Sequence, residues 1–143
     1  MRTNLSIEEL GGFLEEPIVA VLATLRKDGS VLLSPVWHEW REGGFNVWTG
    51  ADDVKARHLR RDPRASILVA ESQPPLRGVE VRGVAHMIKD GAHETAVRIA
   101  SRYLGAEKGA AYVGSAGEEV TVRLEPGHLR VWDFADEHEA MDP

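Results

Sequence analysis

The sequence predicts a mainly β fold with flanking helices, a small antiparallel barrel, closed or partly closed, with helices at its ends. Three observations lead there. About seven short segments are rich in β-branched residues or alternate apolar with polar ones. Tight turn signals such as Asp28-Gly29 and Pro126-Gly127 join most of them, which favours hairpins and antiparallel pairing. Helical patterns are inserted singly. At 143 residues the chain suits one domain, 1–143, and no linker or internal repeat divides it.

The elements follow in order. "SIEELGGFLEE" opens as a helix, with Ser6 and Glu9 as a capping box and Ile7, Leu10 and Leu14 as its apolar stripe. Residues 17–25 form a first strand, and "RKDGS" turns it into a second over 31–40. Pro35 has no N–H, so that strand lies at an edge or breaks there. "REGG" turns again, and 45–50 is a third strand. Asp52 or Asp53 then caps a short helix that runs through Arg60 and ends at "DPR". Residues 65–70 make a fourth strand, and 79–89 alternates as a fifth after the polar loop "ESQPPLRG". A helix starts at Asp90 and stops at Gly105, a C-cap. "EKGAAYVGSAGE" is a loop or a further turn of helix. "EVTVRLEPGHLRVWDF" supplies two last strands, and the acidic end, about 134–143, frays.

Composition excludes several functions. Seventeen basic against twenty-three acidic residues give a net charge of −6, which argues against nucleic acid as a partner. The absence of Cys removes disulfides, thiolate metal sites and Cys nucleophiles. There is no signal-like apolar run and no 18-residue apolar span, so a cytoplasmic protein with no membrane partner is expected. The six His are scattered without ligand spacing, and "HEW" at 38–40 lacks the second His of the helical zinc motif, so no metal site is expected. "VGSAG" at 113–117 has Val where a nucleophile elbow needs Gly, and reads as a flexible glycine-rich loop.

One segment stands out against the acidic background. Lys55, Arg57, Arg60, Arg61 and Arg64 crowd together just after Asp52 and Asp53. The plain reading is a surface helix whose cations are solvated or paired. The other is an anion cradle. A strand ends at Thr49-Gly50 and a helix begins directly after it, and a helix N-terminus with free N–H groups attracts anions. Thr49 offers a hydroxyl and Lys55 and Arg57 offer charge. Side chains two apart on a helix diverge by about 200°, so Lys55 and Arg57 would grip different parts of a ligand.

Four stretches carry a resemblance: "VAVLATLRKDGSVLLSPVWHEW", "FNVWTGADDVKARHLRRDPRASILV", "VEVRGVAHM" and "VTVRLEPGHLRVWDF". In this order and spacing, over 18–134, they resemble the split β-barrel flavin- and deazaflavin-dependent oxidoreductases of the pyridoxamine 5′-phosphate oxidase superfamily, most nearly the actinobacterial branch that uses coenzyme F420. The resemblance implies a split barrel and a homodimer with cofactor sites at its interface. It implies that Ser34, Pro35, Val36 and Trp37 border the cofactor ring, and that Thr49, Gly50, Lys55, Arg57 and His58 hold its phosphate. His58 stands where the family commonly has Asn, and Asp53-Val54 where many members carry Arg. The C-terminal stretch lacks the substrate-binding Arg and His of a true pyridoxamine phosphate oxidase.

The implied activity is an F420-dependent reduction, with hydride passing between the deazaflavin and a small unsaturated or conjugated substrate. FMN is the alternative cofactor, and a non-catalytic cofactor- or tetrapyrrole-binding barrel is a third reading. The proton comes from solvent or from a side chain such as His38 or Tyr103, and no residue is assigned as catalytic. Trp37, Trp48 and Trp132 are placed in strands, Trp37 as a wall for a flat ring and the other two as packing residues.

Overall fold

The computed structural model describes residues 2–3, 5–114 and 117–134. Among these, ten strands and three α-helices follow one another: β1 (Arg2–Thr3), β2 (Ala20–Leu25), β3 (Val31–Val36), β4 (Glu39–Arg41), β5 (Gly44–Gly50), α1 (Val54–Arg61), β6 (Arg64–Ala70), β7 (Gly78–Val84), β8 (His86–Ile88), α2 (Ala92–Leu104), α3 (Ala106–Val113), β9 (Glu119–Leu124) and β10 (His128–Asp133). They build a six-stranded sheet ordered β1-β10-β7-β6-β2-β3 and a four-stranded sheet ordered β4-β5-β9-β8. Every pairing is antiparallel. The result is a split barrel of two sheets, and the closed form of the expectation is not adopted.

The expected seven strands become ten pieces for a physical reason. Two long strands change sheets part-way. The second leaves the large sheet after Val36 and enters the small one at Glu39, with Trp37-His38 as the crossing. The fifth does the same across the single residue Ala85, whose N–H is taken by the Pro63 carbonyl at 2.8 Å. Two residues at the start add β1 against β10. Pro35 lies in β3, at the edge of the large sheet, where its missing N–H costs no ladder bond.

The N-terminal segment is not the expected helix but two 3₁₀ turns, Ile7–Leu10 and Phe13–Glu15. Gly11, at φ +63°, interrupts it, and Ser6 and Glu9 still form their capping box. Asp53, not Asp52, caps α1 by accepting the Lys55 N–H at 3.0 Å. Of the two readings of the "EKGAAYV" stretch, the helical one holds, as α3. Ser115 and Ala116 of "VGSAG" and the acidic end from residue 135 lie outside the described residues.

The facing sides of the two sheets make the core. Leu22, Ile67, Val69, Val79 and Val81 meet Phe45, Val47, Val122 and Leu124, with Phe13 and Leu14 packed among them. Burying each such side chain is worth roughly 1.5–3 kcal/mol before entropy is charged against it. The outer side of the large sheet is different. Val31, Leu33 and Leu68 are 48, 64 and 36% exposed there. No helix among the described residues is long and apolar enough to cross a membrane.

Candidate functional site

Strand ends and the start of a helix border an open cavity of about 570 Å³. Pro35 and Val36 reach it from the end of β3, Trp37 from the sheet crossing, Trp48, Thr49 and Gly50 from the end of β5, and Asp53 and Lys55 from the start of α1. Val19 and Tyr112 complete the rim. Six of the nine residues expected from the sequence are therefore brought together: Pro35, Val36, Trp37, Thr49, Gly50 and Lys55.

The crossing that carries Trp37 is fastened to α2. Trp37 stacks on Tyr103, with ring centroids 4.9 Å apart and planes 9° apart. The Tyr103 hydroxyl donates to the Ile18 carbonyl at 2.7 Å and accepts the His38 N–H at 3.1 Å. Arg102 donates to the carbonyls of Leu14 at 2.9 Å and Glu16 at 3.2 Å, and also to that of His38. Trp37 thus lies in no strand, contrary to expectation, yet it is held as firmly as one that does. His38 is wholly buried behind it. Burial first, and then the Arg102 guanidinium, push its imidazole pKa down to about 3 against an opposing pull from Glu39. Its Nε2 has no hydrogen-bond partner among the described residues. Tyr103 is pushed up by burial, against lowering contacts from the His38 backbone and Arg102. Neither His38 nor Tyr103 lines the cavity.

The opposite wall is polar. The Lys55 ammonium sits 3.0 Å from the Asp53 carboxylate that caps its own helix. Burial pushes the Asp53 carboxyl up, but the Lys55 N–H and ammonium and the Thr49 hydroxyl outweigh it and hold its pKa below the usual range. The first turn of α1 keeps its positive end towards the cavity. Gly50 leaves open space, since a Cβ there would meet nothing within 4 Å. An extension of about 410 Å³ continues past Trp48 and Tyr112 to Asp52, Glu118 and Glu119. That branch is acidic.

The remaining three residues lie outside the cavity lining. Ser34 is opposite Leu22 in the β2–β3 ladder, on the core side of the sheet, and is half-buried. Arg57 is exposed on α1 and makes no ion pair or side-chain hydrogen bond among the described residues. His58 turns inward, with Nδ1 3.0 Å from the Thr24 hydroxyl. Burial and the nearby Arg61, Arg26 and Arg57 hold its pKa below the ordinary value. The rest of the basic segment is used within the chain. Arg60 donates to the Ala51 carbonyl, Arg61 to the Leu25 carbonyl, and Arg64 pairs with Asp62 at 2.7 Å.

Sequence reasoning missed Tyr112, and it gave Trp48 to packing alone. Trp48 does pack, with Ala96, Ala100 and Val113, and also lines the cavity. Trp132 lies in β10 as packing, over Gly78, where a Cβ would stand 2.1 Å from the indole. Among the described residues no group of His, Asp or Glu is arranged to hold a metal.

A split two-sheet β fold with an aromatic cavity closed by a helix N-terminus invites comparison with known families. The profile of pyridoxamine 5′-phosphate oxidase matches residues 6–133. The chain belongs to the pyridoxamine 5′-phosphate oxidase family. No curated protein matches it in sequence. Among solved structures, the family fold is shared with the conserved hypothetical protein Rv2991 of Mycobacterium tuberculosis, at 28% identity and TM-score 0.79, over 94% of this chain and 88% of that one. An F420 reductase matches at 21% identity and TM-score 0.67, over 82% of this chain and 93% of that one. The heme storage protein HutZ of Vibrio cholerae matches at 18% and TM-score 0.70, over 89% and 94%. Below a quarter identity these likenesses speak for the fold. One family fold therefore accompanies both a reductase and a storage protein.

Proposed function

We propose that the chain is an oxidoreductase that binds coenzyme F420 in the 570 Å³ cavity and reduces a small unsaturated or conjugated substrate there. One observation carries the reading: a single cavity joins an aromatic wall, Trp37 and Trp48, to a lysine at a helix N-terminus, Lys55. A flat ring joined to a phosphate requires both. The donor set fits. Lys55, the Thr49 hydroxyl and the open backbone at Gly50 would hold the phosphate, and Pro35, Val36 and Trp37 would border the ring. The bound deazaflavin supplies hydride chemistry, while the chain binds, orients and excludes water. Asp53 keeps the Lys55 ammonium in place through their 3.0 Å contact. His38, neutral and walled off, and Tyr103, already donating to Ile18, leave the proton to solvent.

The site is also proposed to complete itself in a homodimer. Val19 is 51% exposed at the cavity rim, and Val31 and Leu33 continue an exposed apolar surface over the outer side of the large sheet. A second copy would cover it. Light scattering that gives 15.8 kDa at every concentration would remove the second copy from the site.

FMN is the second reading, and the acidic branch favours it. Asp52, Glu118 and Glu119 oppose a polyanionic tail in that direction, and FMN has none. A tetrapyrrole is less suited, because the cavity lining has no His, Cys or Met to ligate a haem iron and Tyr112 is the one common haem ligand in it. Dissociation constants for F420, FMN and FAD, measured side by side, test the assignment. F420 binding most tightly is the expected result. FMN binding more tightly than F420 at every salt concentration would replace it with the second reading.

A further inference from the structure

We propose that Tyr112, on α3, is a ligand-contacting residue that covers a planar conjugated ring in the cavity, and that Gly109 sets its position. The proposal rests on the reading of the cavity as a cofactor site. Tyr112 lines both the cavity and its acidic extension, so it stands where the two meet. Its ring is 5.1 Å from that of Trp37, tilted by 42°. It is nevertheless 64% exposed, and its hydroxyl has no partner among the described residues. The ring therefore gains little from the protein in the free state, while the surface it offers belongs to the cavity.

The helix beneath it is built to hold that ring in place. α3 lies between Gly105 at φ +88° and Gly114 at φ +57°, where side chains are strained. It rests on α2 through Gly109. A Cβ at Gly109 would lie 2.6 Å from both the N and the Oγ of Ser101, and 2.7 Å from its Cα. Ser101 cannot yield easily, because its hydroxyl donates to the Val97 carbonyl at 2.7 Å. Any side chain at 109 must therefore lift α3 off α2 and carry Tyr112 away from Trp37. On the cavity side of Tyr112 stand the apolar residues Val19, Pro35, Trp37 and Trp48, while Asp52, Glu118 and Glu119 of the extension lie on its other side, where they turn anionic groups away. The one ion pair present, Lys55 with Asp53, lies on the opposite wall. The covered group is accordingly a flat, uncharged ring, and the anionic part of the same ligand lies towards Lys55.

Riboflavin and FMN separate the two ends of the site, since they share a ring and differ by a phosphate. Affinities of both are measured for the wild type, Tyr112→Ala, Tyr112→Phe, Gly109→Ala and Lys55→Ala. Tyr112→Ala should weaken riboflavin and FMN by the same factor, on the order of tenfold for one lost aromatic contact. Tyr112→Phe should stay within about twofold of wild type, because the ring and not the hydroxyl makes the contact. Gly109→Ala should weaken both ligands although Tyr112 is intact. Lys55→Ala should weaken FMN alone. If Tyr112→Ala binds both ligands as wild type does while Lys55→Ala loses FMN, Tyr112 is not a contact and the site reading survives. If Tyr112→Phe is as weak as Tyr112→Ala, the ring claim is wrong. Where riboflavin binds too weakly to measure, the same variants are titrated with F420; if neither Tyr112→Ala nor Lys55→Ala changes the binding of any of these ligands, the cavity is not the ring site and both readings fail.

Discussion

Arg98 and Arg102, on α2, reach into the protein, whereas Arg57, Arg60 and Arg61, on α1, stay at its surface. Arg98 makes a two-pronged contact with Glu39, 2.7 Å on each side, and Glu39 is only 5% exposed. Asn46 adds a third bond to that carboxylate at 2.8 Å. Burial pushes the Glu39 pKa up, but Arg98 and Asn46 more than offset it and hold the group charged. Arg102 satisfies the His38 carbonyl where the chain crosses towards the small sheet, and ties it to the Leu14 and Glu16 carbonyls of the N-terminal segment. The α2 cations thus hold the crossing that carries Trp37. Arg60 and Arg61 are taken up by single surface carbonyls, and the α1 cation that lines the cavity is Lys55. The denser basic run in the sequence belongs to the helix with the weaker structural claims. Charge density along a chain says less than whether an acceptor is buried within reach.

The largest expected effect breaks the α2 side of this contrast. Arg98→Ala leaves a buried carboxylate with Asn46 alone, and removing this partner costs about 3 kcal/mol, the low end for a buried pair because Arg98 is itself 37% exposed. Chemical denaturation at pH 7 measures it. Without Arg98 the folded Glu39 pKa rises above its unfolded value, so the deficit should shrink as pH falls. A loss below about 1 kcal/mol, the level of a surface pair, would put Arg98 in the same class as the α1 arginines.

Lys55→Ala sharpens the other side. Its cost should appear in ligand binding, about 1.5–3 kcal/mol for one charge-assisted contact. Stability should change by no more than about 1 kcal/mol, since the Asp53 cap remains. Calorimetric titration with F420 and thermal melts on the same sample separate the two. Equal losses in both would make Lys55 structural and erase the difference between the helices.

The His38 crossing gives a pH test of the α2 scaffold. Its folded pKa of about 3 lies below the ordinary value of 6.5. Its contribution to stability is therefore complete above pH 6.5 and is lost as pH falls towards 3. By linkage the loss is about 2 kcal/mol at pH 5. His38→Gln should flatten that part of the stability curve. A wild-type curve with the same slope as the variant between pH 6.5 and 4.5 would show that His38 is not held neutral.

The alternation of β7, the Pro35 edge and the Asp28-Gly29 turn were legible because each follows from local chemistry within a few residues. The sheet changes at Trp37-His38 and Ala85 were not, since an extended stretch looks alike whether it stays in one sheet or enters another. The Thr49–Lys55 wall was legible from strand-to-helix spacing. The inward turn of His58 depends on Thr24, thirty-four residues away. Tyr112 was missed because its meaning arises from Gly109 seating α3 on α2, a contact between two helices that leaves no periodic trace. The single glycine in an "AEKGAAYV" helix was the available signal, since glycine there costs about 1 kcal/mol relative to alanine and needs a packing reason.

The smallest effect concerns Arg57, the one cation of its segment with no partner among the described residues. As a hypothesis, it faces the anionic tail of F420, the acidic branch at Asp52, Glu118 and Glu119 being closed to that tail by like charge. Arg57 is exposed, so its pull on the tail is screened, over about 10 Å at 0.1 M salt and about 3 Å at 1 M. Arg57→Ala should therefore weaken F420 by about 0.5–1 kcal/mol in dilute buffer, a factor of roughly two to five, and by nothing at 1 M salt. FMN, with no tail, should bind the variant and the wild type alike at both concentrations. Arg64→Ala serves as the control, since Arg64 is committed to Asp62 and should leave both ligands unaffected. Dissociation constants for the two ligands at two salt concentrations decide it. An equal, salt-sensitive loss for FMN would move Arg57 to the phosphate beside Lys55. No loss for either ligand would return it to the solvated face of α1, with Lys55 as the only cation of that helix given to the site.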